Sequence, residues 1–343
     1  MLDDNKLRQR QQLQEMARGY RQARILLTCV EVGVFDALSG RWASAEEVAA
    51  TVGVNGRAAE LLLNAAAALG LLYKRDARYS NSDLAEAHLT QNAVGGMARR
   101  LKLESAFYRR WGGLTDAVRT GKRPEDDHRV EQSTDWVRTF IYGLYDMARN
   151  IAPFIADTLA LPEDQPLRVL DVGGGHGGYC IALAERYPLL TATVFELPRV
   201  VPVAQEIIAQ AGLAARIEVQ EGDFHQDELG SGYDVALLFG VLNGEPREKR
   251  PILIQKIFSA LNPGGQIVLR EFVLNPDRTS PPQEAIFALQ MLLTTESGGL
   301  DTSDDWAEWL GSAGFTTSQR IELPPWIGSS LTLARKPSVA SEK

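Results

Sequence analysis

The chain has 343 residues, 45% of them hydrophobic, and carries a formal net charge of −8 with two cysteines. That length suits two domains, and an acidic balance with no long basic run gives nucleic acid or an anionic membrane no electrostatic support. The charged N-terminus, MLDDNKLRQRQQLQEM, lacks the apolar core of a signal peptide and no apolar run is long enough to span a bilayer, so a cytoplasmic protein is expected.

Residues 5–37 read as helix, polar at first and then apolar at Tyr20, Ile25, Leu26, Leu27, Val30, Val32 and Phe35. Ser44 and Glu47 form an S-x-x-E capping box that opens a helix over 45–51, stopped by Gly53. A second helix over 57–69 ends at Gly70, and short strands over 71–73 and 79–82 flank Lys74-Arg75-Asp76. Helix, turn, helix and wing make a winged helix. Such a shape invites a DNA-binding reading, which charge opposes. Between Ser44 and Thr90 four basic residues stand against six acidic ones, and the second helix carries only Arg57 among alanines and leucines. Counterion release needs several basic contacts, so these faces read as a subunit interface. Cys29 and Cys180 sit in apolar helical contexts and read as reduced core residues.

Further helix is expected over 97–119, followed by a charged loop over 120–133. Asp126, Asp127 and His128 are adjacent on that solvated loop, and no metal site is expected there. An amphipathic helix over 136–159 puts Phe140, Leu144 and Met147 on one face.

Residues 167–178, LRVLDVGGGHGG, organise the rest. The apolar run over 168–172, which includes Asp171, reads as a buried parallel strand. Gly173, Gly175 and Gly178 follow in G-x-G-x-x-G spacing just before a helical pattern. Glycine serves where backbone turns sharply and lies against a ligand, and a helix N-terminus there offers free N–H groups. A second strand over 191–195 ends in Glu196, about 20 residues past the glycines, where a carboxylate can take both hydroxyls of a ribose. A third over 217–221 leads into Gly222-Asp223-Phe224, an acceptor beside an aromatic face that suits an adenine. A fourth over 235–239 leads into Gly240-Val241-Leu242-Asn243, and Leu261-Asn-Pro-Gly-Gly265 reads as a turn feeding a fifth over 266–272. Helices over 285–293, carrying Phe287 and Met291, and over 303–313 precede closing strands over 321–323 and 330–334, the antiparallel edge. The tail from Lys336 is expected to fray. The fold class is α/β, a Rossmann-like doubly wound, mostly parallel sheet behind an all-helical winged-helix domain, with its ligand at the strands' C-terminal ends. A nicotinamide-binding domain shares the glycine spacing but leaves Gly-Asp-Phe after strand three unexplained.

The series DVGGGxG, F-E-L-P (195–198), G-D-F (222–224), L-N-P-G-G and A-G-F (313–315) resembles the S-adenosylmethionine-dependent small-molecule O-methyltransferases of the plant-caffeate and bacterial-polyketide type, in order and over nearly the whole chain. The resemblance implies S-adenosylmethionine as cofactor, S-adenosylhomocysteine as product and a homodimer joined through the N-terminal domain. It brings Gly173 and Gly175 to the cofactor's amino-acid end, Glu196 and Leu197 to the ribose, and Asp223 and Phe224 to the adenine, with Asp171 in the same cofactor set. The helix over 136–159 then walls an acceptor pocket, although Phe140, Leu144 and Met147 read equally as interdomain core. With Phe287 and Met291 they imply an apolar, aromatic small-molecule acceptor. The domains so implied are 1–98 for dimerisation, 99–160 as a helical linker, 161–336 for catalysis and 337–343 as tail.

Methyl transfer requires an aligned nucleophile, a dry site and, for a phenol with a pKa of about 10, removal of a proton. In the resembling enzymes the loop after strand four reads L-H-D-W and its His is the base. Here the loop reads Leu242-Asn243-Gly244-Glu245, and an Asn side chain accepts no proton. Of the two acids that steady that His, one falls on Glu271. The other falls on Leu300, in a segment usually written G-K-E-R-T, with Asp301 where Arg would stand. Three readings follow. The acceptor needs little help (an acidic phenol, an enolisable carbon or an amine) and Asn243 orients it; or another base substitutes, Glu271 first and His225 second; or the cofactor is retained while a decarboxylation, hydroxylation or rearrangement proceeds. O-methylation is the favoured expectation.

Overall fold

The computed structural model describes residues 4–93, 95–124 and 133–338. The chain divides into two compact units, Met1–Tyr108 and Arg109–Lys343.

The first unit runs α1 (Asp4–Arg18), α2 (Tyr20–Val32), α3 (Val34–Ala37), β1 (Ala43–Ser44), α4 (Ala45–Val52), α5 (Gly56–Ala68), β2 (Leu72–Arg75), β3 (Arg78–Asn81) and α6 (Asp83–His88). The single helix expected over 5–37 is three. Gly33 adopts the left-handed conformation, φ 84°, and turns its N–H back onto the Cys29 and Val30 carbonyls, which ends α2. The capping box forms as expected: Ser44 Oγ accepts the Glu47 N–H at 3.2 Å and the Glu47 carboxylate accepts the Ser44 N–H at 2.6 Å. Strands pair antiparallel in the order β1-β3-β2, so helix, turn, helix and wing are all present. Leu27, Val30, Phe35, Leu38, Val48, Leu63 and Tyr79 form the core of this unit. Helix α1 buries none of its residues, and Leu13 and Met16 stand 65% and 74% exposed.

Helix α7 (Ala98–Trp111) carries the boundary between the units, and α8 (Leu114–Thr120) follows. The helix expected over 97–119 therefore breaks at Gly112-Gly113, whose N–H groups close three-residue turns onto Arg109 and Arg110. Asp126, Asp127 and His128 lie outside the described residues. Beyond them come α9 (Thr134–Leu159), β4 (Leu167–Val172), α10 (Gly178–Arg186), β5 (Leu190–Glu196), α11 (Val201–Gln210), β6 (Ile217–Glu221), β7 (Tyr233–Phe239), α12 (Arg250–Ala260) and β8 (Leu261–Arg270). The chain ends with β9 (Val273–Leu274), α13 (Pro282–Thr294), β10 (Asp301–Thr302), α14 (Ser303–Ser312), β11 (Gln319–Glu322) and β12 (Ser330–Arg335).

Seven strands form one sheet in the order β11-β12-β8-β7-β4-β5-β6. Strands β4 to β8 run parallel, and β12 and β11 close the edge antiparallel. Alternate residues face opposite layers. Val169, Val194, Leu237 and Val268 pack towards α9, α10 and α11, while Leu170, Phe195, Leu238 and Leu269 pack towards α12 and α14. The winding reverses between β4 and β7, which opens a crevice at their C-terminal ends.

Two further expectations are corrected. Leu261-Asn-Pro-Gly-Gly265 is part of β8, not a turn before it. Tyr233 pairs with Leu261 and Val235 with Gln266, so the extra residues bulge out of the ladder around Gly264, φ 82°. Lys336 does not fray: its N–H reaches the Gly265 carbonyl at 2.8 Å and its Nζ reaches the Leu261 carbonyl at 2.7 Å.

Gly222, at the end of β6, sits against the fully buried Phe195 ring, and a Cβ there would penetrate that ring. Gly222→Ala is expected to cost about 1–3 kcal/mol, read as a lowered Tm in calorimetry; an unchanged Tm would contradict the packing described.

Candidate active site

Strand β4 delivers the chain into a turn at which Gly173, Gly175 and Gly177 all have positive φ, between 52° and 65°. The left-handed glycines are thus 173, 175 and 177, and Gly178 is the first residue of α10. Side chains are excluded here by space as well. A Cβ on Gly173 would stand 2.8 Å from Val241 Cγ2, and one on Gly174 2.6 Å from the Asp171 carboxylate. A Cβ on Gly175 would have Ile141 Cδ1 at 3.6 Å and Glu196 Oε2 at 4.0 Å, ordinary contacts, so its positive φ rather than crowding calls for glycine.

The expected carboxylates gather around this turn. Glu196 Oε2 accepts the Gly175 N–H at 2.9 Å and Oε1 accepts the Leu197 N–H at 2.7 Å. Burial raises its pKa, and those two N–H groups oppose the rise. Asp171 is wholly buried beneath the turn, 3.5 Å from Cys180 Sγ, and burial pushes its pKa to about 7. Asp223, half-buried after β6, accepts the His225 N–H and the Gln226 side chain, and the Phe224 ring lies beside it. Glycine backbone, a carboxylate ending β5 and another following β6 fit a nucleoside carrying a charged amino-acid tail.

The loop after β7 meets the end of β8. Glu271 Oε1 accepts the N–H groups of Val241 at 2.7 Å and Leu242 at 2.9 Å, while Oε2 is buried with no hydrogen-bond partner among the described residues. Burial raises its pKa to about 7 against the N–H groups of Leu242, Val241 and Asn243. Asn243 is buried too: its Nδ2 donates to the Phe272 carbonyl at 3.2 Å, its own carbonyl accepts the Gly299 N–H, and its Oδ1 has no partner. Two buried acceptor atoms without donors thus stand on neighbouring strand ends.

A charged clamp fixes this loop, and the sequence reading missed it. Arg250 is almost fully buried, pairs with the buried Asp301, and donates to the carbonyls of Glu245 and Gly299. Arg247 adds Asp301 at 2.6 Å and Asp305 at 2.5 Å. Asp301, the residue that departs from the resembling pattern, therefore has an ionic partner of its own. Strand β10 carries it and pairs parallel with β9, just beyond Glu271. His225 reaches the same loop, its Nε2 lying 2.7 Å from Glu245 Oε2.

The apolar candidates divide. Phe287 stacks on Phe272, centroids 4.3 Å apart, next to Glu271, and Met291 is half-buried one turn further along α13. On α9 Ile141 and Tyr145 stand nearest the glycine turn, at Gly175 and Gly178. Phe140 packs onto the core beside Trp136, Leu144 is half-buried, and Met147 is 39% exposed. Helix α9 has apolar residues on adjoining faces, so sequence spacing alone selects no single stripe. A cleft of about 250 Å³ lined by Arg168, Thr191, Arg216 and Tyr233 opens at the strands' N-terminal ends, the opposite edge from these groups. Cys29 and Cys180 are buried free thiols whose pKa values burial raises.

Residues 128–316 match the family model of the O-methyltransferase domain, and residues 14–91 match that of the O-methyltransferase dimerisation domain. The chain belongs to the O-methyltransferase family. It is an S-adenosylmethionine-dependent methyltransferase of small molecules, with the expected α/β sheet preceded in the chain by a helical dimerisation domain. It is 32% identical over 309 residues to 3-hydroxy-5-methyl-1-naphthoate 3-O-methyltransferase of Streptomyces sahachiroi, covering 88% of each chain. It is 30% identical over 349 residues to the N,N-dimethyltransferase OxyT of Streptomyces rimosus, covering 96% of this chain and 97% of that one. Its fold is similar to that of human N-acetylserotonin methyltransferase in complex with S-adenosylmethionine, with a TM-score of 0.84 at 28% identity over 98% of this chain and 99% of that one.

The raised pKa of Glu271 has a signed consequence for stability. Between its ordinary 4.5 and about 7 the folded state keeps a proton that the unfolded state has released, so stability falls as pH rises through that window. Asp171 acts with the same sign. Thermal melts of ligand-free Glu271→Gln from pH 4.5 to 8 are expected to show a flatter decline than wild type. An unchanged slope would mean that Glu271 is already ionised in the folded protein at pH 5.

Proposed function

We propose that this enzyme methylates a hydroxyl on a small aromatic acceptor, with Asn243 orienting the acceptor and Glu271 taking up its proton. The observation that carries this reading is the pair of buried, donorless oxygens, Glu271 Oε2 and Asn243 Oδ1, on neighbouring strand ends. A phenol O–H supplies one donor, which Glu271 Oε2 is placed to accept.

The cofactor, when bound, supplies a methyl group activated on a positively charged sulfur. Gly173 and Gly175 present backbone to it, Glu196 and Leu197 hold its ribose, Asp223 and Phe224 its adenine, and Asp171 completes that set. Glu271 has the properties of a general base at neutral pH. Its carboxyl pKa is raised to about 7, Oε1 is pinned by two N–H groups, and Oε2 is left to receive the proton. The Arg250–Asp301 pair holds the Asn243 loop while this happens. Apolar walls from Phe287, Met291 and α9, with Phe140, Leu144 and Met147 beyond the stripe of Ile141 and Tyr145, favour an aromatic acceptor and exclude water. Asn243 occupies the place of the usual His base, which is why the proton falls to Glu271.

Residues 1–98 are proposed as the dimerisation module of a homodimer, supported by the match over 14–91 and by the uncovered apolar side chains of α1. The partition into a 99–160 linker and a 161–336 catalytic domain, and a cytoplasmic location, belong to the same proposal. N-methylation is the second reading. OxyT, an N,N-dimethyltransferase, is similar over nearly the whole chain, and an amine brings donors for both oxygens while needing less help with its proton.

The test is a panel of phenols, aryl amines and enolisable ketones followed by mass spectrometry and S-adenosylhomocysteine release. Methyl gain on oxygen is expected, with kcat rising with pH through about 7. Glu271→Gln is expected to lower kcat by about 10²–10⁴-fold, and Asn243→Ala chiefly to raise KM. Turnover without S-adenosylhomocysteine, or full kcat in Glu271→Gln, would overturn the assignment.

A further inference from the structure

Arg270 ends β8 beside Glu271, at the edge of the sheet where the cofactor crevice opens, and no step above uses it. It is half-buried, and among the described residues no carboxylate pairs with it. Its Nη1 donates to the Tyr179 hydroxyl at 3.0 Å, its Nε is buried without a partner, and no hydrogen bond engages Nη2. A guanidinium removed from bulk water without an anion is costly unless something supplies one.

The neighbours do not supply it. Tyr179 lies in the first turn of α10, directly after the glycine turn, with its ring edge-on to Phe239 at 4.8 Å. Its other ring neighbour is His176, 5.6 Å away within the turn itself. His176 is neutral: burial and the nearby Arg270 charge lower its pKa to about 4, and its Nδ1 accepts the Gly178 N–H. Glu271 turns its bonded oxygen to the Val241 and Leu242 N–H groups, and Asp171 faces Cys180. Glu271 feels the Arg270 charge and Tyr179 feels that of Asp171, but among the described residues no carboxylate hydrogen-bonds the guanidinium or the Tyr179 phenol.

We propose that Arg270 and Tyr179 form a carboxylate-recognition site beside the glycine turn, which a bound small molecule completes. The Nη2 edge and the phenol hydrogen are the donors, and a charge-assisted bond of this kind is the strong type. Two sources bring a carboxylate here: the amino-acid end of the cofactor or an acid group on the acceptor. The position of Tyr179 and His176 on the glycine turn favours the cofactor. The inference rests on the cofactor reading given above.

Isothermal titration of wild type, Arg270→Met and Arg270→Lys separates these sources. The probes are S-adenosylhomocysteine and 5′-methylthioadenosine, which lacks the amino-acid tail, and then 1-naphthoate and its methyl ester on protein saturated with S-adenosylhomocysteine. The expected result is a loss of about ten- to hundredfold in S-adenosylhomocysteine affinity in Arg270→Met, unchanged methylthioadenosine binding, and substantial recovery in Arg270→Lys. Unchanged S-adenosylhomocysteine binding with a lost preference for 1-naphthoate over its ester keeps the carboxylate site and assigns it to the acceptor. Equal losses for S-adenosylhomocysteine and methylthioadenosine, or no change in either comparison, would overturn the site. A wild-type protein that binds neither nucleoside would overturn the cofactor reading along with it.

Discussion

The structure depends on the meeting of two strand ends through one carboxylate. Glu196, at the tip of β5, accepts the backbone N–H of Gly175 from the turn after β4 and that of Leu197 from its own loop. Left-handed glycines let the turn fold back that tightly, and Asp171 fills the space beneath it. With the turn fixed, Gly175 and the start of α10 lie at the crevice where the winding reverses between β4 and β7. In that crevice backbone donors, carboxylates and the switch of connection coincide.

On the far side of the crevice the chain solves a second problem. A loop carrying Asn243 must be held rigidly next to Glu271. Three kinds of bond do so: Glu271 Oε1 takes two N–H groups of the loop, Asn243 bridges Phe272 and Gly299, and Arg250 joins the Glu245 carbonyl to Asp301. A buried ion pair is weak evidence for stability, because both charges are desolvated. Its geometry here is better understood as register, tying the loop after β7 to the segment ahead of α14. The same arrangement leaves one carboxylate oxygen and one amide oxygen without donors, which is how a site selects a ligand that brings them.

What was legible in the sequence is what short-range spacing encodes. The β4 strand, its glycines and the acids at Glu196 and Asp223 are legible because a buried strand followed by glycine, or by an acid at its tip, is a local pattern, whereas Glu271 was singled out only by the resemblance. The capping box at Ser44 and Glu47 was legible for the same reason. The bulge in β8 was not, since Pro and Gly in Leu261-Asn-Pro-Gly-Gly265 signal a turn equally well. Which side chains of α9 lie nearest the glycine turn was not legible, because Ile141 and Tyr145 adjoin Phe140 and Leu144 and only packing tells them apart. Arg250 and Asp301 are 51 positions apart, and nothing in the sequence pairs them. Arg270 was passed over because a lone cation at a strand end has no pattern; its meaning lies in the missing anion.

The account stands or falls on whether the strand-tip carboxylates hold the nucleoside. The most direct measurement is calorimetric titration of S-adenosylhomocysteine into wild type and into the Glu196→Gln, Asp223→Asn double variant, with melting curves to confirm that both are folded. The account predicts saturable binding by wild type and a loss of at least about tenfold in the folded double variant. Absence of binding by wild type, or equal affinity in the two proteins, would contradict it.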